Sequence, residues 1–192
     1  MEIPLSSFIR TLRRIADLHS VDTEDHAVRT QQFAQRIGDK LNLDSTQMMF
    51  LRYGADAHDF GKVFIDGAIL DKPGKLNKAQ RAQMRQHCEL GYEALEFIRL
   101  PHEIMEIILY HQEHWDGSGY PKGLQGEEIP LLVRIVTIAD VWDALCSDRP
   151  YRSAWSPTKA LEIMNRNAAW FDPNLFAIFL SLVRETRDEM EN

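Results

Sequence analysis

The chain has 192 residues, of which 44% are hydrophobic, so it is long enough to bury the core of one domain without disulfide staples. Its formal net charge of −7 argues against duplex DNA as the main partner, because DNA binding relies on excess Lys and Arg. Two cysteines are too few for a disulfide framework, and no segment approaches the roughly 20 apolar residues of a membrane span. We therefore expect a soluble, cytoplasmic protein.

Apolar residues recur at helical spacing along nearly the whole chain, and no run alternates convincingly with period two. This pattern predicts an all-α, single-domain helical bundle over residues 1–192, with an N-terminal helix in residues 1–20 and the core of the domain in residues 21–192. The first helix would carry its apolar side chains on one face: Leu5, Ile9, Leu12 and Ile15.

The next two helices each carry a histidine on the apolar face. The second, over about residues 23–41, would align His26 with Phe33 and Ile37. The third would begin near Asp44 or Ser45, either of which is a good N-cap, and end near Gly61. Its apolar stripe would consist of Met48, Leu51, Ala55 and His58.

The middle of the chain alternates loops and helices. Residues 64–76 read as a loop because they contain two glycines and a proline. Asn77 and Gln80 resemble a capping box that opens a helix carrying Met84 and His87. After Pro101 the pattern predicts another amphipathic helix, with this stripe: Ile104, Ile107, Ile108 and His111.

The last third begins with a loop of about fifteen residues from Trp115 to Pro130, and loops of this length are usually functional or disordered. The following segment, LLVRIVTIADVWDAL, is apolar on most sides and predicts a central buried helix that contains Asp140. Ser156-Pro157 and Asp172-Pro173 each pair an N-cap residue with proline at the first helical position, so two further helices follow.

Six potential metal ligands lie at positions that these patterns direct toward the interior. A buried imidazole or carboxylate is costly unless it is paired or bound to a cation. One histidine on an apolar stripe is more often a satisfied core residue, but four on separate helices are harder to explain in that way. Imidazole with carboxylate suits several transition metals without choosing among them. The six residues are His26, His58, Asp59, His87, His111 and Asp140.

Asp59 stands directly beside His58 and can bridge two cations with its two oxygens. Two cations about 3.5–4 Å apart would activate a shared water and stabilise both the attacking and the leaving oxygen of an in-line displacement at phosphorus. The residues thus predict phosphoester hydrolysis.

Several ordered motifs extend this interpretation. They are HDFGK at 58–62, ILDKPGKL at 69–76, HQEHWDGSGYPKGLQGEEIP at 111–130, IADVWDAL at 138–145 and SDRPYR at 147–152. From about His26 to Pro173 the chain resembles the HD-GYP family of bacterial phosphodiesterases, within the HD superfamily of metal-dependent phosphohydrolases. The resemblance implies hydrolysis of cyclic di-GMP to pGpG and often on to GMP, with residues 21–192 as the catalytic core.

The resemblance also assigns roles to single residues. It makes the six residues above ligands of two divalent ions, most simply Fe or Mn, although Zn, Co, Ni or Mg would also fit. Lys62 matches a lysine that contacts the scissile phosphate, and it would act in catalysis together with Asp59. By itself, Lys62 could instead be a solvated residue at a helix end.

The loop that names the family corresponds to Gly117, Gly119, Tyr120 and Pro121. Its glycines permit a tight backbone, and Tyr120 could stack on a guanine or reach a phosphate. In the family this loop is also regarded as a contact surface for diguanylate cyclase partners.

Two arginines match residues that hold substrate phosphates, namely Arg149 and Arg152. For Arg149 an ion pair with Asp143 or Asp148 is an equally good interpretation.

The chain departs from the family pattern at three places. Gln112 stands where most members have a second consecutive histidine, and Asp22 stands where members with three metals have Glu. Both positions are associated with an additional ion, so the sequence predicts two ions rather than three. Asp66-Gly67 replaces the usual Pro-Asp.

Two alternatives remain open at this level. The enzyme could act on another cyclic dinucleotide or on pGpG, because ligand spacing says nothing about base identity. Alternatively, Gln112 could mark a catalytically weak regulatory domain that binds nucleotide or a diguanylate cyclase partner.

Overall fold

The computed structural model describes residues 4–19, 26–148 and 153–191, with side chains up to residue 186. These residues contain no β-strand, only an isolated bridge between Asp116 and Gln125, so the predicted all-α class is confirmed. None of the described helices is long and apolar enough to cross a membrane. The α-helices are α1 (Leu5–His19), α2 (His26–Lys40), α3 (Ser45–Ala57), α4 (Gly67–Leu70), α5 (Lys78–Arg85), α6 (His87–Leu95), α7 (His102–Tyr110), α8 (Leu131–Cys146), α9 (Pro157–Arg166) and α10 (Pro173–Glu191).

Helix starts follow the predicted capping residues. The carboxylate of Asp44 accepts hydrogen bonds from the backbone N–H groups of Thr46 and Gln47 at the start of α3. Asn77 and Gln80 form the predicted capping box at the start of α5. Each cap satisfies N–H groups that have no partner within the helix. The helices predicted after Ser156 and Asp172 are likewise present as α9 and α10.

Two predictions on the elements are wrong. The segment 64–76 contains the single helical turn α4, because the Asp66 side chain accepts from the N–H of Ala68. The helix predicted to run from Asn77 through His87 is interrupted by a turn at Gln86, so His87 begins α6. The predicted first helix is present as α1, and its residue Ile15 is 45% exposed and lines an open cleft between α1 and α2.

The core consists of two clusters that meet along α3 and α7. The larger one surrounds α8 and receives side chains from α2, α3 and α10, with Phe179 fully buried at its centre. The smaller one lies between α1, α3, α6 and α7. As predicted, α8 is the central buried helix, and nine of its residues are buried.

A backbone contact joins α6 to the 3₁₀ segment Phe60–Phe64. A Cβ atom added at Gly61 would lie 1.8 Å from the carbonyl oxygen of His87, and one added at Gly91 would lie 3.0 Å from the Gly61 nitrogen. The approach therefore requires glycine at position 61 and leaves little room for a side chain at position 91. This contact sets the separation between the HDFGK motif and His87.

We expect Gly61→Ala to lower the free energy of unfolding by about 1–3 kcal/mol, because overpacking a close contact forces the backbone apart. Gly67→Ala is the matched control, since a Cβ at Gly67 would meet nothing within 4 Å. Urea unfolding of both variants checks this. Equal stability of the two variants would contradict the assigned role of Gly61.

Candidate metal centre

The structure brings together all six residues that the sequence singled out, from five places in the fold. His26 begins α2, His58 and Asp59 follow α3, and Asp140 lies within α8. His87 begins α6 and His111 caps the end of α7. All four imidazoles are buried.

Each histidine ring is held through its Nδ1 atom. Three of them donate to the backbone carbonyl three residues earlier: His58 to Ala55 at 2.7 Å, His87 to Met84 at 2.7 Å and His111 to Ile108 at 3.1 Å. These carbonyls belong to the last turns of α3, α5 and α7, where oxygens lack partners within the helix. Nδ1 of His26 donates instead to the Asp143 carboxylate at 2.6 Å.

A carbonyl oxygen only accepts hydrogen bonds, so Nδ1 carries the hydrogen and Nε2 of the neutral ring presents a lone pair. The Nε2 atoms of His87 and His111 lie 3.1 Å apart, with lone pair facing lone pair. Among the described residues, Nε2 of His26 and of His58 makes no hydrogen bond. Buried acceptors in this arrangement need a proton or a cation between them.

Asp59 lies between two groups of these nitrogens. Its Oδ1 is 3.5 Å from Nε2 of His87 and 3.6 Å from Nε2 of His111. Its Oδ2 is 3.3 Å from Nε2 of His58 and 3.7 Å from Nε2 of His26. Each oxygen thus faces a separate histidine pair, which is the geometry expected of a carboxylate that bridges two cation positions.

Asp140 completes the side of the centre occupied by His26 and His58. Its Oδ1 is 3.2 Å from Nε2 of His26 and 3.8 Å from Nε2 of His58. His26, His58 and Asp140 can hold one cation, and a second group can form from His58, Asp59 and His111. The described residues therefore form candidate His/Asp metal-binding clusters.

The electrostatics of the centre favour positive charge. Burial lowers the pKa of His26, but contacts with Asp140 and Asp143 outweigh it and raise that pKa to about 9. Burial and the neighbouring His111 lower the pKa of His87 to about 4. For Asp59, burial is outweighed by the charges of Lys62 and His58, which hold its pKa well below the ordinary value. Two ionised carboxylates consequently face several imidazoles.

Lys62 and Gln112 connect the centre to its rim. The Lys62 ammonium donates to Oδ2 of Asp59 at 2.7 Å. The Gln112 amide donates to Oδ2 of Asp140 at 3.1 Å, and its oxygen accepts from the Tyr120 hydroxyl at 3.1 Å. Gln112 therefore links the loop to a candidate ligand, and its side chain is already engaged in two hydrogen bonds.

The loop containing Gly119, Tyr120 and Pro121 folds back onto the residues after α7, and its Tyr120-Pro121 bond is cis. A Cβ at Gly119 would lie 2.4 Å from the backbone nitrogen of His114, so the predicted need for glycine is confirmed there. The Tyr120 ring lies near His87, with the Arg85 guanidinium 4.7 Å from its centre. Tyr120 is thus directed toward the metal centre.

Sequence reasoning missed several residues of the centre. Glu113 is 1% exposed, and its carboxylate accepts from the N–H groups of Lys122, Gly123 and Leu124, which fixes the loop. Thr137 donates to the carbonyl of His111 at 3.0 Å. The signal available in the sequence was the position of Glu113, two residues after the candidate ligand His111.

Asp143 was considered only as a partner of Arg149, but in the structure its carboxylate accepts from His26 and from Arg29. The two cysteines were considered only as disulfide partners, yet the sulfur of Cys88 lies 3.4 Å from Nε2 of His87. The predicted site residues Asp22, Arg149 and Arg152 lie outside the described residues, so their roles stay predictions.

Comparison with known proteins identifies the family. Residues 10–175 match the HD domain family. This chain belongs to that family. The HD domain is 35% identical over 186 residues to the 3′3′-cGAMP-specific phosphodiesterase 3 of Vibrio cholerae, covering 96% of the chain and 40% of that relative. It is 33% identical over 187 residues to a cyclic di-GMP phosphodiesterase of Thermotoga maritima, covering 96% and 51%. The predicted HD-GYP resemblance is confirmed.

A solved structure supports the fold. The HD domain superimposes with a TM-score of 0.72 on a cyclic GMP-AMP specific phosphodiesterase of Vibrio cholerae, at 24% identity, covering 95% of this chain and 49% of the other. The chain thus spans about half, or less, of the length of these three proteins.

We expect metal affinity to rise with pH. Without a cation, His26 holds a proton up to about pH 9, so below that pH a cation must displace this proton to reach Nε2, and affinity gains about tenfold per pH unit. Calorimetric titration with Mn²⁺ between pH 6 and 9 measures the slope.

Asp143→Asn should flatten this slope, because it removes a charge that favours protonated His26. Asp39→Asn changes an exposed carboxylate on α2, the helix that also carries His26, and it should leave the slope unchanged. A slope that is identical in all three proteins would exclude Asp143 as the residue that sets the protonation of His26.

Proposed function

We propose that this HD domain is a metal-dependent phosphodiesterase that hydrolyses cyclic di-GMP to pGpG and further to GMP. The observation that carries the proposal is the convergence of four histidine Nε2 atoms on two carboxylates in a buried centre. Such a donor set suits divalent transition-metal ions.

Two divalent cations, Fe or Mn by first choice, would fit this centre. One would be held by His26, His58 and Asp140 and the other by His87 and His111, with Asp59 shared between them. When bound, such ions supply Lewis-acid stabilisation of phosphoryl oxygens and acidify water. The Nε2 atoms of His26 and His58 support this assignment, because both are buried, make no hydrogen bond among the described residues and lie within 4 Å of a candidate carboxylate ligand.

The residues of the chain orient the phosphodiester around these positions. Lys62 lies at the mouth of the centre, fixed by Asp59, so its ammonium can approach a non-bridging phosphoryl oxygen and offset the charge that develops there. Water adds to phosphorus while the bond to the 3′ oxygen breaks, and that oxygen leaves as a hydroxyl after gaining a proton. The product is a linear dinucleotide with a 5′ phosphate.

Tyr120 contributes differently from the sequence-based prediction. Its hydroxyl is engaged by Gln112 and one face of its ring is covered by Arg85, so we assign the binding of a base to the aromatic–guanidinium pair rather than to Tyr120 alone. Phosphate contacts by Arg149 and Arg152, and a contact between this loop and a diguanylate cyclase, remain predictions.

A cyclic GMP-AMP dinucleotide is the second candidate substrate. It is favoured by the names of the relatives, which divide between cyclic di-GMP and 3′3′-cGAMP phosphodiesterases at similar identity. The purely regulatory alternative is not favoured, because all six candidate ligands and Lys62 converge in one place.

Asp59→Ala should abolish turnover together with metal binding, because it removes the carboxylate whose two oxygens face the two histidine pairs of the described centre. Lys62→Ala should lower kcat by roughly 10²-fold while the metal content is retained, since removing one donor to a developing charge has this effect. Chromatography of products from cyclic di-GMP and 3′3′-cGAMP measures both variants.

The control is Lys78→Ala, which changes an exposed lysine at the start of α5 and should behave as the unmodified chain. Metal-loaded protein that leaves both dinucleotides intact would refute the proposed activity, and an unaffected kcat in Lys62→Ala would refute the role of that lysine.

Elemental analysis should return two metal ions per chain. Gln112 occupies the position of a second histidine, and its amide is held by Asp140 and Tyr120, which leaves it unavailable as a ligand. Because the residue at position 112 limits the number of ions in this assignment, Gln112→His should raise the number of bound ions per chain toward three. Three ions in the unmodified chain would overturn the two-metal assignment.

A further inference from the structure

A buried cysteine borders the candidate metal centre on the side of His87. Cys88 is 0% exposed, and its sulfur lies 3.4 Å from Nε2 of His87. The sulfur and ring nitrogens of His87 and His111 all lie within 4.8 Å of one another. Three potential donor atoms thus surround one position in the interior.

The separations fit a shared cation. Zinc lies about 2.0–2.1 Å from a histidine nitrogen and about 2.3 Å from a cysteine sulfur, so two such ligands in tetrahedral geometry are roughly 3.6 Å apart. They are closer when the coordination number is higher. The observed distances of 3.4 Å from sulfur to His87 and 3.1 Å between the two nitrogens agree with this.

A second, independent observation concerns the neighbouring histidine, His58, which forms a further group of candidate ligands with Asp59 and His111. The imidazole of His58 is fully buried, and its ring centre lies 5.0 Å from that of His111. Its Nε2 makes no hydrogen bond among the described residues. The Asp59 Oδ1 oxygen faces His87 and His111 from the same direction. The sulfur therefore borders a pocket of acceptors, although a buried cysteine ordinarily packs as a small apolar residue.

We propose that Cys88 is a thiolate ligand of the cation held by His87 and His111. The inference rests on the proposed metal centre and adds to it a soft donor that is absent from the half formed by His26, His58 and Asp140. On binding, the thiol proton passes to solvent and a metal–sulfur bond forms, with no change of oxidation state. The two positions then differ in metal preference, because thiolate favours Zn, Fe and Co over Mg and Mn.

The competing interpretation makes Cys88 a space-filling residue whose S–H donates to Nε2 of His87. It predicts that bound metal has only nitrogen and oxygen ligands. The two interpretations therefore differ in a spectroscopic property that does not depend on turnover.

The test is to titrate the metal-free chain with Co²⁺ and record the near-ultraviolet sulfur-to-cobalt charge-transfer absorption alongside the visible ligand-field bands. We expect the charge-transfer band in the unmodified chain, its loss in Cys88→Ser and Cys88→Ala, and its retention in Cys146→Ser. Cys146, at the end of α8, is the matched control. Circular dichroism establishes that the variants are folded.

A second measurement compares metal affinities. Cys88→Ser should weaken Cd²⁺ binding by roughly tenfold or more and change Mn²⁺ binding less than about threefold, since direct ligands matter at least as much as outer-shell partners. Cobalt bound with ligand-field bands but no charge-transfer band in the unmodified chain overturns the cysteine assignment and leaves the proposed function intact. Failure to bind cobalt at all overturns both.

Discussion

The hydrogen bond made by Nδ1 of each buried histidine is the constraint on which the centre depends. Three rings are tied to carbonyl oxygens at helix ends, and the ring of His26 is tied to Asp143. Each bond fixes the tautomer as well as the orientation of the ring, so Nε2 faces inward as an acceptor. The last turns of α3, α5 and α7 thereby gain partners for their carbonyls, and the centre gains a preorganised set of donors.

This arrangement makes the centre costly without positive charge. Lone pairs that face one another at 3.1 Å, beside two ionised carboxylates, repel in a buried environment. Protons relieve part of this repulsion at His26, and the Lys62 ammonium relieves another part at Asp59. Cations would replace the protons without any change in geometry. The Nε2 atoms and carboxylates that the fold holds in place are therefore the same atoms that the proposed chemistry needs.

Much of the centre could be predicted from the sequence, because helical spacing and ordered motifs indicate which residues face the interior. The six candidate ligands, the N-caps at Asp44 and Asn77 and the central helix α8 were all predicted. The bonds from His58, His87 and His111 to carbonyls three residues earlier are also local. They follow from the position of each histidine just after a helical turn.

Other features depend on distances between residues far apart in the chain. Asp143 reaches His26 across 117 positions, and no local pattern indicates that contact. The interruption at Gln86 was missed because Met84 and His87 fit a continuous helical stripe equally well. The proximity of Cys88 to the centre arises from that interruption, since the turn sets the direction in which α6 begins. Such features appear only when the elements are packed together.

The crossing of Gly61 and Gly91 separates the stability of the fold from one spacing within the centre. At this crossing the main chain of Gly61, in the segment carrying Asp59 and Lys62, lies directly against the main chain of His87 and Gly91. The spacing between this segment and the helix carrying His87 is therefore set by main-chain atoms. Changes in the larger cluster around Phe179 would then alter the fraction of folded molecules without altering this spacing in those that are folded. Substitutions can therefore accumulate in that core during evolution while the spacing between Asp59 and His87 stays the same.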